Sequence, residues 1–252
     1  MKIRLFVLII MFYSTNLACL NKTVLEQLAI KKPTEWSETV KGVKKFLNTN
    51  KKVVALTLDA CGSAGDSLDN RIVDFLISKK IPVTFFITTK WILKHPEHFK
   101  RLQQYPFFDF QNHGSLHRPC SINGNSVYGI KGTENIEEII EEVEDSAVML
   151  EKLIGHKPKF YRSGTAFYDD VAVEVVNELG YEVVGFDVLG DRGATFSKQE
   201  VIAAFSTAKV GSIIIAHANR PERDSGEGIP EAIENLINSG FSFVKLSDYE
   251  LC

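Results

Sequence analysis

The stretch VVALTLDACGSAGDSLDN, residues 53–70, decides how this chain folds. An apolar run over residues 53–58 leads into a single carboxylate, Asp59, and stops at Ala60, Cys61 and Gly62. A short apolar run without polar alternation, closed by turn-forming residues, is the pattern of a strand buried on both faces. Asp69 then stands as a helix N-cap before residues 70–78, where Ile72, Val73, Leu76 and Ile77 share one face. Strand, loop and helix follow in order, and the strand carries a lone aspartate to its tip.

The same pattern continues along the chain. Further short runs rich in β-branched and aromatic residues lie at residues 82–87, 107–111, 159–162, 182–187, 212–217 and 241–246. Between them the periodicity predicts an acidic helix over 135–154 ended by Gly155, a helix over 198–206 capped by Ser197, and one over 229–238 ended at Gly240. Strand and helix alternate about seven times, which predicts an α/β fold with a mostly parallel sheet. Residues 19–50 are polar and lysine-rich, with amphipathic pieces around Pro33, and read as a helical or loosely ordered lead-in to a domain over 51–252.

With 252 residues, 44% hydrophobic and 24% charged, the chain can bury one large core and is not disordered. A net charge of −3 with scattered Lys and Arg argues against a nucleic-acid partner, and nothing indicates a protein partner. The opening MKIRLFVLIIMFYSTNLAC has a basic start, an apolar centre and a small or polar exit, so residues 1–18 read as an export signal. Its apolar centre is too short to cross ~30 Å of hydrocarbon as a helix. The Ala18-Cys19 junction is also similar to the cleavage site of bacterial lipoproteins, with Asn16 where that signal usually has leucine. Lipid on Cys19 would tether the chain to a membrane; the expected location is periplasmic, extracellular or membrane-anchored. Cys19, Cys61, Cys120 and Cys252 are too sparse for a disulfide scaffold. They form no Cys-x-x-Cys pair, so zinc held by cysteine is not expected.

In a parallel α/β fold the reactive groups gather at the C-terminal ends of the strands. The strand tips here carry Asp59, then NHGSLHRPC with His113 and His117, then Arg162, then Asp187 with Asp191 in the next turn, and finally His217. Two histidines four apart can share one side of a helical turn and bind one metal ion, or can be two surface residues. His217 is either a satisfied core residue or a proton donor whose pKa is held up by Asp187 or Asp191. Arg162 is either an ordinary ion-pair partner or the group that lowers a carboxylate's pKa and orients it.

Taken together these residues resemble the polysaccharide deacetylases with the NodB homology domain, carbohydrate esterase family four. The resemblance runs from about Lys51 to Leu251. The family's T-F-D-D motif corresponds to TLDA at positions 57–60, and its H-[ST]-x-x-H motif to HGSLH at 113–117, with glycine in second place. Its R-x-P-[YF] segment is reduced to RSGTAF from Arg162, its fourth motif corresponds loosely to DVLGD at 187–191, and its final L-x-H to IAH ending at His217. The resemblance implies a distorted (β/α) barrel of about seven parallel strands. It also implies metal-dependent removal of acetyl groups from the amino sugars of a polysaccharide or oligosaccharide, cell-wall glycan first and chitin-like chains second. Asp59 would be the base that activates water, with Arg162 tuning it. His113 and His117 would hold a divalent ion, zinc foremost, with cobalt, nickel or manganese as alternatives. His217 would protonate the leaving amine, tuned by Asp191 or Asp187, and backbone N–H groups near Arg162 would steady the oxyanion.

One ligand is missing from this correspondence, because the family's second aspartate is Ala60 here. Either another acid of the loop supplies it, with Asp66 freer than the N-cap Asp69, or water completes a weaker site, or the domain is a silent glycan-binding relic. An amidase acting on a small molecule is a further alternative on the same barrel. Cys61 and Cys120 each follow a motif, and either pair as a disulfide or are small buried thiols. Phe167, Tyr168, Phe196 and Trp91 are candidates for stacking on sugar faces.

Overall fold

The structure is a computed structural model that describes residues 22–252. The expected export signal and Cys19 lie outside the described residues. Numbering only the strands of the main sheet, these are β1 Val53–Ala60, β2 Val83–Ile87, β3 Phe108–Asn112, β4 Phe160–Tyr161, β5 Glu182–Val183, β6 Val188–Leu189, β7 Ile213–His217 and β8 Ser242–Val244. Their order is β6-β7-β1-β2-β3-β4-β5, with β8 against the first half of β1, and every pairing is parallel. The sheet is parallel, as the strand–helix pattern predicts, and curls into the incomplete, distorted barrel that the family resemblance implies, and each predicted run supplies a strand. The short β6, which pairs Val188 and Leu189 with Ile214 and Ile215, was not anticipated.

Every residue of β1 is buried, and the period of two sorts them onto two faces. Val54, Leu56, Leu58 and Ala60 enter the core beneath the helices, whereas Val53 and Ala55 pack with Phe86, Phe160, Val184 and Ile213 inside the barrel. Thr57 and Asp59 continue that inner row. A strand covered on both sides reads as a continuous apolar run, which is why its lone carboxylate stood out.

The helices are α1 Lys22–Ala29, α2 Asn70–Lys79, α3 Thr89–Lys94, α4 Pro96–Leu102, α5 Ile136–Ile154, α6 Asp170–Glu178, α7 Lys198–Phe205 and α8 Ser225–Asn238. Asp69 caps α2 by accepting from the Arg71 amide, Asn135 caps α5, and Ser197 with Glu200 forms a capping box on α7. Helix α8 begins before the predicted 229, because Gly226, Gly228 and Pro230 read as breakers. The two glycines serve packing: a Cβ on Gly226 would lie 2.2 Å from the Arg71 guanidinium, and one on Gly228 2.8 Å from Val201.

The lead-in is more ordered than its composition implies. Leu28, Val40 and Val43 join a core cluster with α5 and α6. Trp36 and Ser37 pair antiparallel with Asp169 and Tyr168. Beyond them, Lys44 N–H donates to Val183, Phe46 N–H to Cys252 and Leu47 N–H to Gly211, so this segment bridges β5 and the residues leading into β7. Cys252 is itself held there, donating its N–H to the Phe46 carbonyl. Among the described residues no helix is long and apolar enough to cross a membrane.

Candidate active site

Asp59, at the tip of β1, meets Arg162 inside the barrel mouth, and the Asp59 side chain is 3% exposed and that of Arg162 0%. Burying a guanidinium is costly unless its donors are satisfied. Here Nη1 donates to Asp59 Oδ1 and to Thr57 Oγ1, each at 2.8 Å, while Nε and Nη2 donate to the Val184 and Gly185 carbonyls at 3.1 and 2.8 Å. The planar cation also lies 4.2 Å over the Phe86 ring. Burial pushes the Asp59 carboxyl up, but the Arg162 charge, with His113 and His217, outweighs it and holds the pKa below the ordinary value. Asp59 is therefore an ionised, fixed carboxylate at neutral pH.

His113 follows β3 directly and is buried. Its Nδ1–H donates to the Arg162 carbonyl at 2.9 Å, which leaves the Nε2 lone pair free, 3.5 Å from Asp59 Oδ2. The His117 ring lies across it, with centroids 4.9 Å apart and planes at 81°. The two histidines do meet, but not through a helical turn. Gly114 and His117 have φ of +80° and +67°, and the segment is an irregular loop gripped by Glu142 of α5. That carboxylate accepts from the Leu116 amide at 3.0 Å and the Arg118 amide at 3.1 Å, while the Ser115 amide donates to the Glu142 carbonyl. A Cβ at position 114 would come within 2.4 Å of Glu142 Oε1, so the glycine in the family's Ser/Thr place is required by this grip. Gly164 has the same role on the other side, where a Cβ would lie 2.2 Å from the His117 backbone. Glu142 was not singled out from the sequence. Its signal was an acid on the apolar stripe between Ile139 and Val143.

His217, at the tip of β7, donates Nδ1–H to Asp191 Oδ1 and its backbone N–H to Asp191 Oδ2, both at 2.8 Å, and Ser225 Oγ donates to the same carboxylate at 3.1 Å. Burial lowers the His217 pKa, but Asp191 outweighs it and raises the value well above the ordinary imidazole range. Asp187 is elsewhere. It binds Ser212 Oγ and the Ile213 amide, each at 2.8 Å, at the foot of β7. The intervening β6 carries Asp191 to the His217 end of β7 and leaves Asp187 at the opposite end.

Asp66 does not join the histidines. Its buried carboxylate is held by Lys94 at 2.6 Å, Asn219 at 3.2 Å and His95 at 3.3 Å, tying the loop after β1 to α3 and the β7 tip. The donor that does join them is Cys61, whose Sγ lies 3.8 Å from His113 Nε2. Ligand atoms of Cys61, His113 and His117 all fall within 4.8 Å of one another. Cys61 and Cys120 are free, so the disulfide reading fails. Cys61 faces imidazoles, whereas Cys120 is buried beside Tyr161, where burial pushes its thiol pKa up. Two imidazoles and a thiol in one cluster fit a borderline-soft divalent ion such as zinc with a coordination position left open.

Of the aromatic candidates, Trp91 and Tyr168 are fully buried and Phe196 packs against the helix-side core. Phe167 remains partly exposed, its ring 5.7 Å from Trp36 and 5.9 Å from Tyr128. Trp36 comes from the lead-in and Tyr128 from the excursion after the histidine loop, so only folding groups them.

The profile of the polysaccharide deacetylase family matches residues 47–184. The chain is 22% identical over 209 residues to the peptidoglycan-N-acetylmuramic acid deacetylase PdaA of Bacillus subtilis (strain 168), covering 80% of this chain and 72% of that protein. It is 22% identical over 200 residues to a bifunctional xylanase/deacetylase of Pseudobutyrivibrio xylanivorans, covering 79% of this chain but 30% of that one. The structure of PdaA superposes with a TM-score of 0.68 at 22% identity, over 82% of this chain and 84% of PdaA. BA3943 from Bacillus anthracis, described as a pseudoenzyme of carbohydrate esterase family four, superposes with a TM-score of 0.64 at 17% identity, over 79% of this chain and 66% of that one. The profile match spans more than half of the sequence: this chain belongs to the polysaccharide deacetylase family.

Proposed function

We propose that this protein is an exported, metal-dependent hydrolase that removes N-acetyl groups from the amino sugars of a cell-wall glycan. The observation that carries the reading is the Asp59 carboxylate, held by Arg162 at 2.8 Å through one oxygen and standing 3.5 Å from His113 Nε2 through the other. A base so placed is ionised, aimed and beside the imidazoles that would hold the ion. When bound by His113 and His117, a divalent ion such as zinc would polarise the acetyl carbonyl and make water more acidic.

The chain's own residues supply the proton transfers. Asp59 takes the proton of the attacking water, and the Arg162 pair keeps it oriented for that transfer. His217 gives a proton to the departing amine. Asp191 holds the imidazole by Nδ1, so that Nε2 delivers the proton, and offsets the charge of the imidazolium. In the turn after Arg162 the Ser163 amide donates to Tyr168 Oη and the Ala166 amide to the Ser163 carbonyl, so a developing oxyanion there would draw on the Gly164 or Thr165 N–H. The partly exposed cluster of Trp36, Phe167 and Tyr128 offers ring faces to a pyranose. PdaA, by its name, acts on peptidoglycan, which supports a cell-wall substrate and agrees with the export signal read over residues 1–18.

The test is acetate release from peptidoglycan and from N-acetylglucosamine oligomers, abolished by a chelator and restored by zinc, with Asp59→Asn as control. Glycan binding without acetate release from the zinc-loaded chain would identify a silent binding domain. Turnover of small amides alone would identify an amidase.

A further inference from the structure

The two imidazoles leave open what takes the place of the family's second aspartate. The residue at that position, Ala60, belongs to the outer row of β1 and packs in the core beneath the helices. The next residue turns back toward the barrel mouth, and its backbone is fixed there. Thr88 N–H donates to the Ala60 carbonyl and Thr88 Oγ1 to the Cys61 carbonyl, both at 3.1 Å. Gly62 follows at φ +80°, packed so closely on α3 that a Cβ would lie 2.9 Å from the Trp91 amide nitrogen. The Cys61 side chain is thereby delivered, buried, into the His113 and His117 pair.

We propose that Cys61 is the third protein ligand of the ion, so that a thiolate one residue later in the chain replaces the missing carboxylate. The inference rests on the metal-dependent reading above. It reverses the expectation that zinc held by cysteine is absent here, because a ligand set assembled from separate loops needs no Cys-x-x-Cys spacing. A thiolate and two imidazoles form a softer set than a carboxylate and two imidazoles. The site should therefore favour zinc or cobalt over manganese or magnesium. It also carries the same ligand charge as the carboxylate set, one negative, so the electrostatic demand on Asp59 is unchanged.

The test is optical. The purified chain is titrated with cobalt(II), and a sulfur-to-cobalt charge-transfer band in the near ultraviolet is expected. The band should persist in Cys19→Ser, Cys120→Ser and Cys252→Ser and vanish in Cys61→Ser. Cys61→Asp should bind cobalt without the band, which also shows that the position tolerates substitution. In Cys61→Ser, zinc affinity from chelator competition should fall by more than the roughly 10- to 100-fold that follows loss of a ligand's outer partner. A band surviving in Cys61→Ser, cobalt bound without a band by the unmodified chain, no cobalt bound at all, or an acetyl group trapped on Cys61 during turnover would each overturn the assignment. Acetate release is measured on the same samples. A band without turnover keeps the ligand and removes only the proposed activity.

Discussion

Arg162 Nη1 and Asp59 Oδ1 lie 2.8 Å apart inside the barrel, joined across β1 and β4 with the charges of both side chains enclosed. The same guanidinium nitrogen reaches Thr57 Oγ1, and the others end on the Val184 and Gly185 carbonyls, so one side chain ties Asp59 of β1 to the backbone just beyond β5. Arg162→Ala leaves a buried carboxylate unpaired and is expected to cost about 3–5 kcal/mol of stability as well as activity. Arg162→Lys cannot reproduce the fork and should recover little of either. Thermal melts and acetate assays on both variants check this. Stability unchanged in Arg162→Ala would show that the pair is not what holds Asp59.

Asp59→Asn should keep the fold, because an amide oxygen can still accept from Arg162. The expected loss is in kcat, about 10²- to 10⁴-fold, with zinc affinity nearly unchanged. Zinc binding by chelator competition, run beside the kinetics, separates loss of the base from loss of the metal site.

His217→Ala removes the proposed proton donor and should lower kcat on N-acetyl sugars by a similar factor. A substrate whose leaving amine is already weakly basic needs less protonation and should be affected much less. Equal losses on an activated anilide and on a sugar substrate would contradict the assignment of His217 to the leaving group.

Glu142 touches no reacting atom, yet its carboxylate organises the amides of the histidine loop. Glu142→Ala is expected to weaken zinc binding about 10- to 100-fold, and Glu142→Gln, which keeps an acceptor, to weaken it less. Chelator competition gives the order. Equal affinities in all three proteins would remove the positioning role.

Trp36→Ala tests the aromatic cluster. Loss of one ring face is worth ~0.5–1.5 kcal/mol, so KM for an oligosaccharide should rise about 2- to 13-fold with kcat held. A monosaccharide too short to reach the cluster should show no change.

Asp66 has a separate pH signature. Burial pushes its carboxyl up, but hydrogen bonds from Lys94, Asn219 and His95 outweigh this and hold its pKa below the ordinary value. A depressed folded pKa contributes stability above the unfolded value near ~3.9, and that stability is lost as pH falls through the folded value. The melting difference between the native chain and Asp66→Asn should be largest at neutral pH and shrink below about pH 4. A difference that stays constant with pH would mean that the carboxylate's charge contributes nothing.

Every main-sheet strand but β6, the helices α2, α5, α7 and α8, and the tip residues Asp59, His113, Arg162, Asp191 and His217 were legible in the sequence, whereas α3, α4 and α6 were not. Apolar periodicity and capping are local, and a carboxylate or imidazole directly after a buried run has few places to go. What the sequence left open were distances between residues far apart in the chain. Asp66 and Cys61 are both polar residues of one loop after β1, and nothing local says that the thiol turns inward while the carboxylate turns to Lys94. Asp187 and Asp191 sit four apart, and only the pairing of β6 with β7 sends them to opposite ends of a strand. Glu142 lies on the buried face of α5 and Trp36 in a polar lead-in, and each has its place from a distant segment, the histidine loop for Glu142 and Asp169 for Trp36. Local patterning set most of the elements and the chemistry available at their ends; tertiary packing selected which of those groups share one cavity, because that choice depends on register and loop closure rather than on any residue's own preference.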